Sequence, residues 1–352
     1  MGQPTHRTKF IATLGPASMN YDTMRALALV GVNIFRANFV HMQYDKYREV
    51  QSWVQQINHE LGIWIQIQAD IQGPSIRMGT LSEEGYLLEA GKEYIFVTGH
   101  ADREGLADNE LPINDATIHQ FLQIGHPIDF MNGAIAGEVV GKEDNKIWVR
   151  MHTTGMLKSK KQINLPETEL STSLTEKDRQ DLAFLMEVGV DWVAISFVSR
   201  AAHIQEVRDI IGSRPTKICS KIERKSAIEN IDEIAVASDA LMVARGDLGI
   251  ELPMEEVPFA QKNIIRTAHH YGKPVIVATQ MMLSMTQSMR PTRAEVSDVA
   301  HAILEEADAT MMSEETAEGI DPANAMATMV KVAARAEQYK YEQENRFNQF
   351  WR

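Results

Sequence analysis

The 352-residue sequence has a single cysteine, Cys219, so no internal disulfide can form and the fold has to stand on burial and hydrogen bonding. Cys219 falls in the short run Lys217-Ile218-Cys219-Ser220, which reads as a buried strand, and a reducing cytoplasm suits such a chain. Net positive charge is missing as well: the formal charge is −13. Nucleic-acid affinity comes mostly from phosphate neutralisation by clustered Lys and Arg, so this charge opposes a polyanionic partner, no nucleic-acid partner is expected and any phosphate recognition should be local. No stretch offers the roughly 20 apolar residues of a membrane helix, and Met1 to Lys9 is polar, without an apolar signal segment; no membrane partner is expected. Short internal repeats and low-complexity tracts are absent too. What is present is a chain 44% hydrophobic and 24% charged, long enough for one large core and a smaller one. Its 19 methionines read as adaptable core filler.

Short β-branched runs recur, each followed by a longer helical pattern: Phe10 to Leu14, Val32 to Phe35, Ile63 to Ala69, Trp192 to Phe197, Thr216 to Ile222, Ala240 to Ala244, Pro274 to Ala278 and Ala309 to Met312. Runs apolar on both faces imply parallel strands covered by crossover helices, and eight of them in alternation predict an α/β chain folded as a (β/α)8 barrel. The segment between the third and fourth runs is patterned differently. Tyr94 to Val97, Ala134 to Val140 and Ile147 to Met151 read as antiparallel strands separated by Gly, Asp and Asn turns. The expected organisation is therefore a barrel over 1–78 and 165–340, an inserted β-rich lid over 79–164 and a tail over 341–352. The insertion leaves at the carboxyl end of a strand, where barrel enzymes place their sites, so a lid is the functional reading and a passive decoration the bland one.

Polar residues that a barrel core does not need gather at the strand ends: Arg36 and Asn38, then Asp70, Gly73 and Arg77, then Lys221 and Glu223, then Arg245, Gly246 and Asp247, then Thr279 with Gln280, and Ser313 with Glu315. All converge on one mouth. Lys221 and Glu223 are two apart and project to one side of an extended backbone. A lysine beside a carboxylate is also a common structural ion pair, but Asp247 arrives on the next strand, and two carboxylates form a hard oxygen site suited to Mg2+ or Mn2+. Around Ala244, Gly246 and Gly249 leave room for backbone N–H groups to approach an anion. Arg36 and Arg77 carry planar forks suited to phosphate oxygens or, equally, to a structural carboxylate. His269 and His270 read as surface or satisfied core residues; only His41 lies near the mouth.

Six ordered motifs resemble the pyruvate kinase family: Thr8 to Ser18, Ser220 to Glu223, Met242 to Glu251, Ala278 to Met281, Arg290 to Glu295, and Ser313 with Glu315, Thr316 and Ala317. The resemblance covers nearly the whole chain. It implies reversible phosphoryl transfer from phosphoenolpyruvate to ADP and protonation of an enolate to pyruvate. Carried over, Glu223 and Asp247 bind Mg2+ or Mn2+, and Lys221 stabilises charge on the phosphoryl group and the enolate. Arg36 and Arg77 hold phosphates, and Thr279 lies near the enolate face that receives a proton. Ala244, Arg245, Gly246, Asp247, Thr279 and Ser313 line the substrate. Pro16, Arg36, Asn38, His41, Arg77 and Lys161 belong to the nucleotide side. Asn38, Asp70 and the Ile71 carbonyl bind a monovalent cation. A homo-oligomer assembled through the barrel is expected.

The departures from the family pattern are local. Val40 stands where the family has a hydroxyl, which leaves the K+ site incomplete; Gln72 and Ser75 replace a lysine and a glutamate; Asn132 replaces an aspartate of the lid, Leu283 a glutamate, and Val296 and Glu314 replace glycines. Altered K+ dependence is expected. The sequence ends at Arg352, which the resemblance reads as a short member without the carboxyl-terminal effector domain, with Phe347, Phe350 and Trp351 capping exposed surface or marking an oligomer contact. Two rival functions follow from the same residues: a relative acting on another 2-oxo acid enolate or phosphate donor, and a weakly active regulatory or binding homologue. Retention of Lys221, Glu223 and Asp247 argues against the second.

Overall fold

The computed structural model describes residues 7–131, 133–166, 168 and 174–350, with backbone only for 344–350. Three strands come first, β1 (Lys9–Thr13), β2 (Ile34–Asn38) and β3 (Gln66–Ile71). Eight more follow: β4 (Tyr86–Leu88), β5 (Glu93–Thr98), β6 (Glu110–Ile113), β7 (Pro127–Phe130), β8 (Ile135–Glu143), β9 (Lys146–Met151), β10 (Gly155–Leu157) and β11 (Ile163–Asn164). Five more complete the set: β12 (Trp192–Ile195), β13 (Lys217–Ile222), β14 (Ala240–Ala244), β15 (Val275–Ala278) and β16 (Ala309–Met312).

The first three and last five strands close into a barrel in the order β1-β16-β15-β14-β13-β12-β3-β2, and every neighbouring pair is parallel. The two faces of these strands feed two separate cores. Ile11, Ala194, Cys219, Met242, Ile276 and Met311 fill the interior, whereas Phe10, Val193, Ile218, Val243, Val277 and Met312 pack outward under the helices. Burial on both faces is why the strands read as continuous apolar runs. The chain is thus the expected (β/α)8 barrel with an inserted β-rich domain.

The inserted residues form a six-stranded sheet, β11-β7-β8-β9-β5-β6, and a two-stranded one, β10-β4. They enclose a core of their own, in which Phe96 and Phe130 stack with ring centroids 5.0 Å apart. β8 and β9 join through a two-residue turn with Asp144 in the left-handed region at φ 50°, as tight hairpins require. The chain enters and leaves the domain side by side: Arg77 bridges Gln162, the Met78 N–H donates to the Lys161 carbonyl at 2.9 Å, and the Ile163 N–H donates to the Ile76 carbonyl at 2.9 Å.

Several boundaries move. β2 runs on from Phe35 to Asn38 and β3 from Ala69 to Ile71, so Arg36, Asn38, Asp70 and Ile71 lie within strands rather than after them. Alternate residues there face the barrel axis and are polar, which interrupts the apolar run before the strand ends. In the inserted domain β5, β8 and β9 match the expected antiparallel strands; β4, β6, β7, β10 and β11 have two to four residues each and leave no periodic signal, and the β5–β6 pair is parallel. Asn132, Trp351 and the side chains of Phe347 and Phe350 lie outside the described residues, so the expectations placed on them stay untouched.

Candidate active site

Two residues beyond the interior apolar layer, the same strand face turns polar. Ile11, Ala194 and Cys219 are followed by Thr13, Ser196 and Lys221, and Ile34 by Arg36. Together with Asp70 these side chains form the top layer of the barrel. Arg36 Nε donates to Asp70 Oδ2 at 2.7 Å and Arg36 Nη1 to Thr13 Oγ1 at 3.0 Å. Lys221 Nζ donates to Ser196 Oγ at 2.8 Å and lies 3.4 Å from Asp70 Oδ1 and 2.8 Å from Glu223 Oε1. The result is a row of alternating charge, Arg36–Asp70–Lys221–Glu223, with side chains 11%, 3%, 11% and 1% exposed. Burial alone would cost each of these groups several kcal/mol, so the pairing decides their charge state.

The balance of the row is uneven. Burial pushes the Asp70 carboxyl upward, but the Lys221 and Arg36 charges overcome it and hold Asp70 below the usual carboxylate range. Burial works against the Lys221 ammonium, and Asp70 with Glu223 overcome that in turn and raise its pKa. Glu223 is pushed up to about 7 by burial, with Lys221 opposing the shift and Asp247 adding to it. Its Oε2 accepts the Phe197 N–H at 2.6 Å, while Oε1 lies 2.8 Å from the Lys221 ammonium, which it shares with Asp70. Asp247 opens the short helix Arg245–Glu251, and its Oδ1 accepts Gln162 Nε2 at 3.3 Å. Two cations thus face three carboxylates, and the deficit sits at Glu223 and Asp247.

That deficit fits a divalent cation. A buried carboxylate that shares its one ammonium with Asp70, beside a second carboxylate at Asp247, is a hard-oxygen donor pair. Among the described residues no group of three or more His, Cys, Asp or Glu could hold a metal. Two protein oxygen donors with the remaining positions left to water and substrate are what Mg2+ prefers over a closed protein cage.

The neighbouring strand ends are shaped tightly. Phe197, Thr279 and Gln280 all take left-handed φ values, of 56°, 68° and 53°, which for side chains of this size costs about 1–3 kcal/mol each and persists only where the surroundings over-determine it. Thr279 Oγ1 accepts the Gly246 N–H at 2.8 Å and donates to the Ala278 carbonyl at 2.6 Å. At Gly15, a Cβ would lie 2.6 Å from the Ala317 carbonyl oxygen, so only glycine lets the turn after β1 close on the loop after β16.

A family model described as "Pyruvate kinase, barrel domain" matches residues 5–326. The chain belongs to the pyruvate kinase family. Among its relatives is a pyruvate kinase of Agrobacterium vitis, 42% identical over 336 residues that make up 95% of this chain and 70% of the relative. Pyruvate kinase 1 of Saccharomyces cerevisiae is 39% identical over 344 residues, 96% of this chain and 69% of that one. The crystal structure of a pyruvate kinase from Cryptosporidium parvum superposes with a TM-score of 0.88 at 33% identity, covering 95% of this chain and 70% of that chain. The protein is accordingly a phosphotransferase enzyme of the pyruvate kinase type, and no helix among its described residues is long and apolar enough to cross a membrane.

Within the pyruvate kinase barrel, the sequence candidates take several distinct positions. Arg36, Asp70, Lys221 and Glu223 touch one another, and Asp247, Gly246, Ala244 and Thr279 adjoin them across β14 and β15. Asn38 and Ile71 flank Asp70, Asn38 as its register partner on β2. Pro16, His41 and Lys161 are exposed at the rim. Arg77 Nη1 reaches the Lys160 carbonyl at 3.3 Å, at the root of the inserted domain. Ser313 donates its N–H to Glu315 Oε2 at 2.8 Å. The Arg245 guanidinium donates to Asp298 at 2.7 Å and to the Thr279 carbonyl at 2.7 Å and so links two strand ends. Thr13, Ser196, Arg224 and Gln162 went unnoticed in the sequence. The alternation that brings Lys221 inward also brings Ser196 and Thr13 inward, but hydroxyl residues are too common in strands to stand out.

Proposed function

We propose that this enzyme transfers a phosphoryl group from phosphoenolpyruvate to ADP, giving pyruvate and ATP, and that Glu223 and Asp247 hold the Mg2+ or Mn2+ ion. The observation that carries the reading is the excess of carboxylate at the mouth: the buried Lys221 ammonium is shared by Asp70 and Glu223, Arg36 pairs with Asp70, and Asp247 adds a third carboxylate beside Glu223. When bound, the cation supplies Lewis-acid polarisation of substrate oxygens. The chain's own residues do the rest by position. Lys221 presents a fixed positive charge to the phosphoryl group and the enolate oxygen, where transition-state charge builds. Arg36 is oriented by Asp70 and Thr13 and offers its remaining N–H groups to phosphate. Thr279, pinned by the Gly246 N–H, sits on the side where a proton reaches the enolate carbon. Ala244, Gly246 and Ser313 border the substrate, and Arg77, His41, Pro16 and Lys161 receive the nucleotide beneath the inserted domain, which acts as a lid over residues 79–164.

The residues for a monovalent cation fit poorly. Asn38 Oδ1 accepts the Val40 N–H at 3.1 Å, both Asp70 oxygens face cationic side chains, and the Ile71 carbonyl accepts Ser196 Oγ at 2.9 Å. With these donors committed and Val40 apolar, K+ stimulation is weak. A coupled assay of pyruvate formation from phosphoenolpyruvate and ADP, with and without Mg2+, tests the main reading. Mg2+-dependent turnover is expected. Absence of turnover in a protein that still binds Mn2+ would shift the assignment to another phosphate donor or 2-oxo acid enolate.

A further inference from the structure

We propose that Gln162 is a positioning residue for the divalent cation: its side-chain amide, carried on the strand by which the inserted domain returns, orients Asp247 and couples cation binding to the placement of that domain. The inference rests on the reading of Asp247 as a metal ligand and adds a residue that reading does not contain. Gln162 precedes β11 and is bridged to Arg77 on the outgoing chain, so its backbone is fixed at the root of the domain. From there Nε2 donates to Asp247 Oδ1 at 3.3 Å, a contact between residues 85 positions apart. A donor on one carboxylate oxygen fixes the rotation of the group and leaves the other oxygen turned elsewhere, which is how residues behind a metal ligand set its geometry. The chemical type of the side chain matters. A lysine in this place would neutralise Asp247 and a glutamate would repel it; a neutral amide orients the carboxylate and leaves its full negative charge for the cation.

A second contact ties the other carboxylate to the same segment. Arg224 directly follows Glu223 and donates Nη2 to the carbonyls of Leu165 and Thr168 at 2.8 and 2.9 Å. Both metal-binding loops are therefore one link from residues 162–168. A shift of Asp247 toward a cation acts on that return segment through the Gln162 amide, and a shift of the Glu223 loop acts on it through Arg224. By linkage, a cation that binds better in one domain placement favours that placement to the same degree.

The test is a Mn2+ titration read by the electron paramagnetic resonance of the free ion, on wild type, Gln162→Ala, Gln162→Asn and Asp247→Ala, together with amide hydrogen exchange over residues 158–166 with and without Mn2+. Gln162→Asn keeps an amide one methylene too short, so it serves if the alanine variant folds poorly. Both Gln162 variants are expected to bind Mn2+ about three- to tenfold more weakly, at or below the ordinary range for residues behind a metal ligand. In wild type Mn2+ should slow exchange over 158–166, and the variants should lose that response. Mn2+ affinity and exchange response equal to wild type in both Gln162 variants would overturn the inference, as would a lowered unfolding temperature with affinity unchanged. Wild-type protein that binds no Mn2+, or Asp247→Ala that binds it undiminished, would bring down the metal assignment itself and the inference with it.

Discussion

Lys221 neutralises less charge than surrounds it. Asp70 and Glu223 lie within 3.4 and 2.8 Å of its ammonium, and all three side chains are at most 11% exposed. Removing the lysine leaves the buried Glu223 carboxylate without its cation and Asp70 with Arg36 alone, and breaking a buried pair from one side typically costs about 3–5 kcal/mol of stability. Lys221→Met should therefore be less stable yet still bind Mn2+, since the site has lost a competing cation. Its rate of phosphoryl transfer should fall by more than about tenfold, the equivalent of roughly 1.4 kcal/mol of transition-state stabilisation. A rate above a tenth of wild type, measured on protein shown to be folded, would remove Lys221 from the chemistry. Val40 poses the complementary question. It presents methyl groups, 37% exposed, beside Asn38, and Ser75 Oγ is buried without a partner where the family pattern has a carboxylate. Val40→Ser combined with Ser75→Glu should raise K+ stimulation of the rate. Strong, saturable K+ activation of the native protein at millimolar concentration would mean that Asn38, Asp70 and backbone carbonyls suffice. Lys221, Glu223 and Asp247 were legible in the sequence because a charged residue at the end of an apolar strand has no packing reason to be there. Gln162 and Arg224 were not, since their partners lie on elements whose approach only the folded chain reveals, and the same holds for the pairing of Arg245 with Asp298, 53 residues away.

At the scale of elements, the loops after β15 and β16 are held together by one buried carboxylate. Glu315 accepts the Met282 N–H on Oε1 at 2.9 Å and the Ser313 N–H on Oε2 at 2.8 Å. Burial nonetheless raises its pKa above the ordinary value of 4.5, the backbone donors only partly opposing the shift. A raised folded-state pKa means that the fold holds the proton more tightly than the unfolded chain does. This contribution to stability is full below the unfolded value and is lost as pH rises through the folded one. Glu315→Gln carries no titrating group at this position. Wild type should consequently lose stability relative to Glu315→Gln as pH rises above about 4.5, a trend readable from thermal unfolding of the two proteins across pH. A constant difference would mean that Glu315 titrates alike in both states. The barrel elements could be read from the sequence because each strand is buried on both faces. The inserted domain could be read only where β5, β8 and β9 are long enough to show alternation. The two- to four-residue strands are fixed by pairing partners, which no local pattern announces.

For the whole molecule, the decisive feature is that the inserted domain has its own core and a closed root. Phe96, Phe130, Val149 and Leu157 belong to a cluster separate from both barrel cores. The Met78 N–H and the Lys161 carbonyl are 2.9 Å apart where the chain leaves and returns. Replacing residues 79–160 by a two-residue Gly-Ser link therefore asks little of the barrel, since the two ends to be joined already lie side by side. The shortened protein should keep a cooperative unfolding transition and the Arg36–Asp70–Lys221–Glu223 row, whose members all lie on barrel strands or directly after them. It should also retain measurable Mn2+ binding, because Glu223 and Asp247 remain. Phosphoryl transfer should fall by several orders of magnitude, since an open mouth admits water and leaves the nucleotide without the Lys161 side of its site. The readouts are circular dichroism with thermal unfolding, Mn2+ titration and the coupled assay, run on the same preparation. Near-native turnover in a folded, shortened barrel would show that the domain is a decoration after all. Failure of the barrel to fold would show instead that the contacts of Gln162, Leu165 and Thr168 with the metal-binding loops are needed to complete the barrel as well as to shape its site.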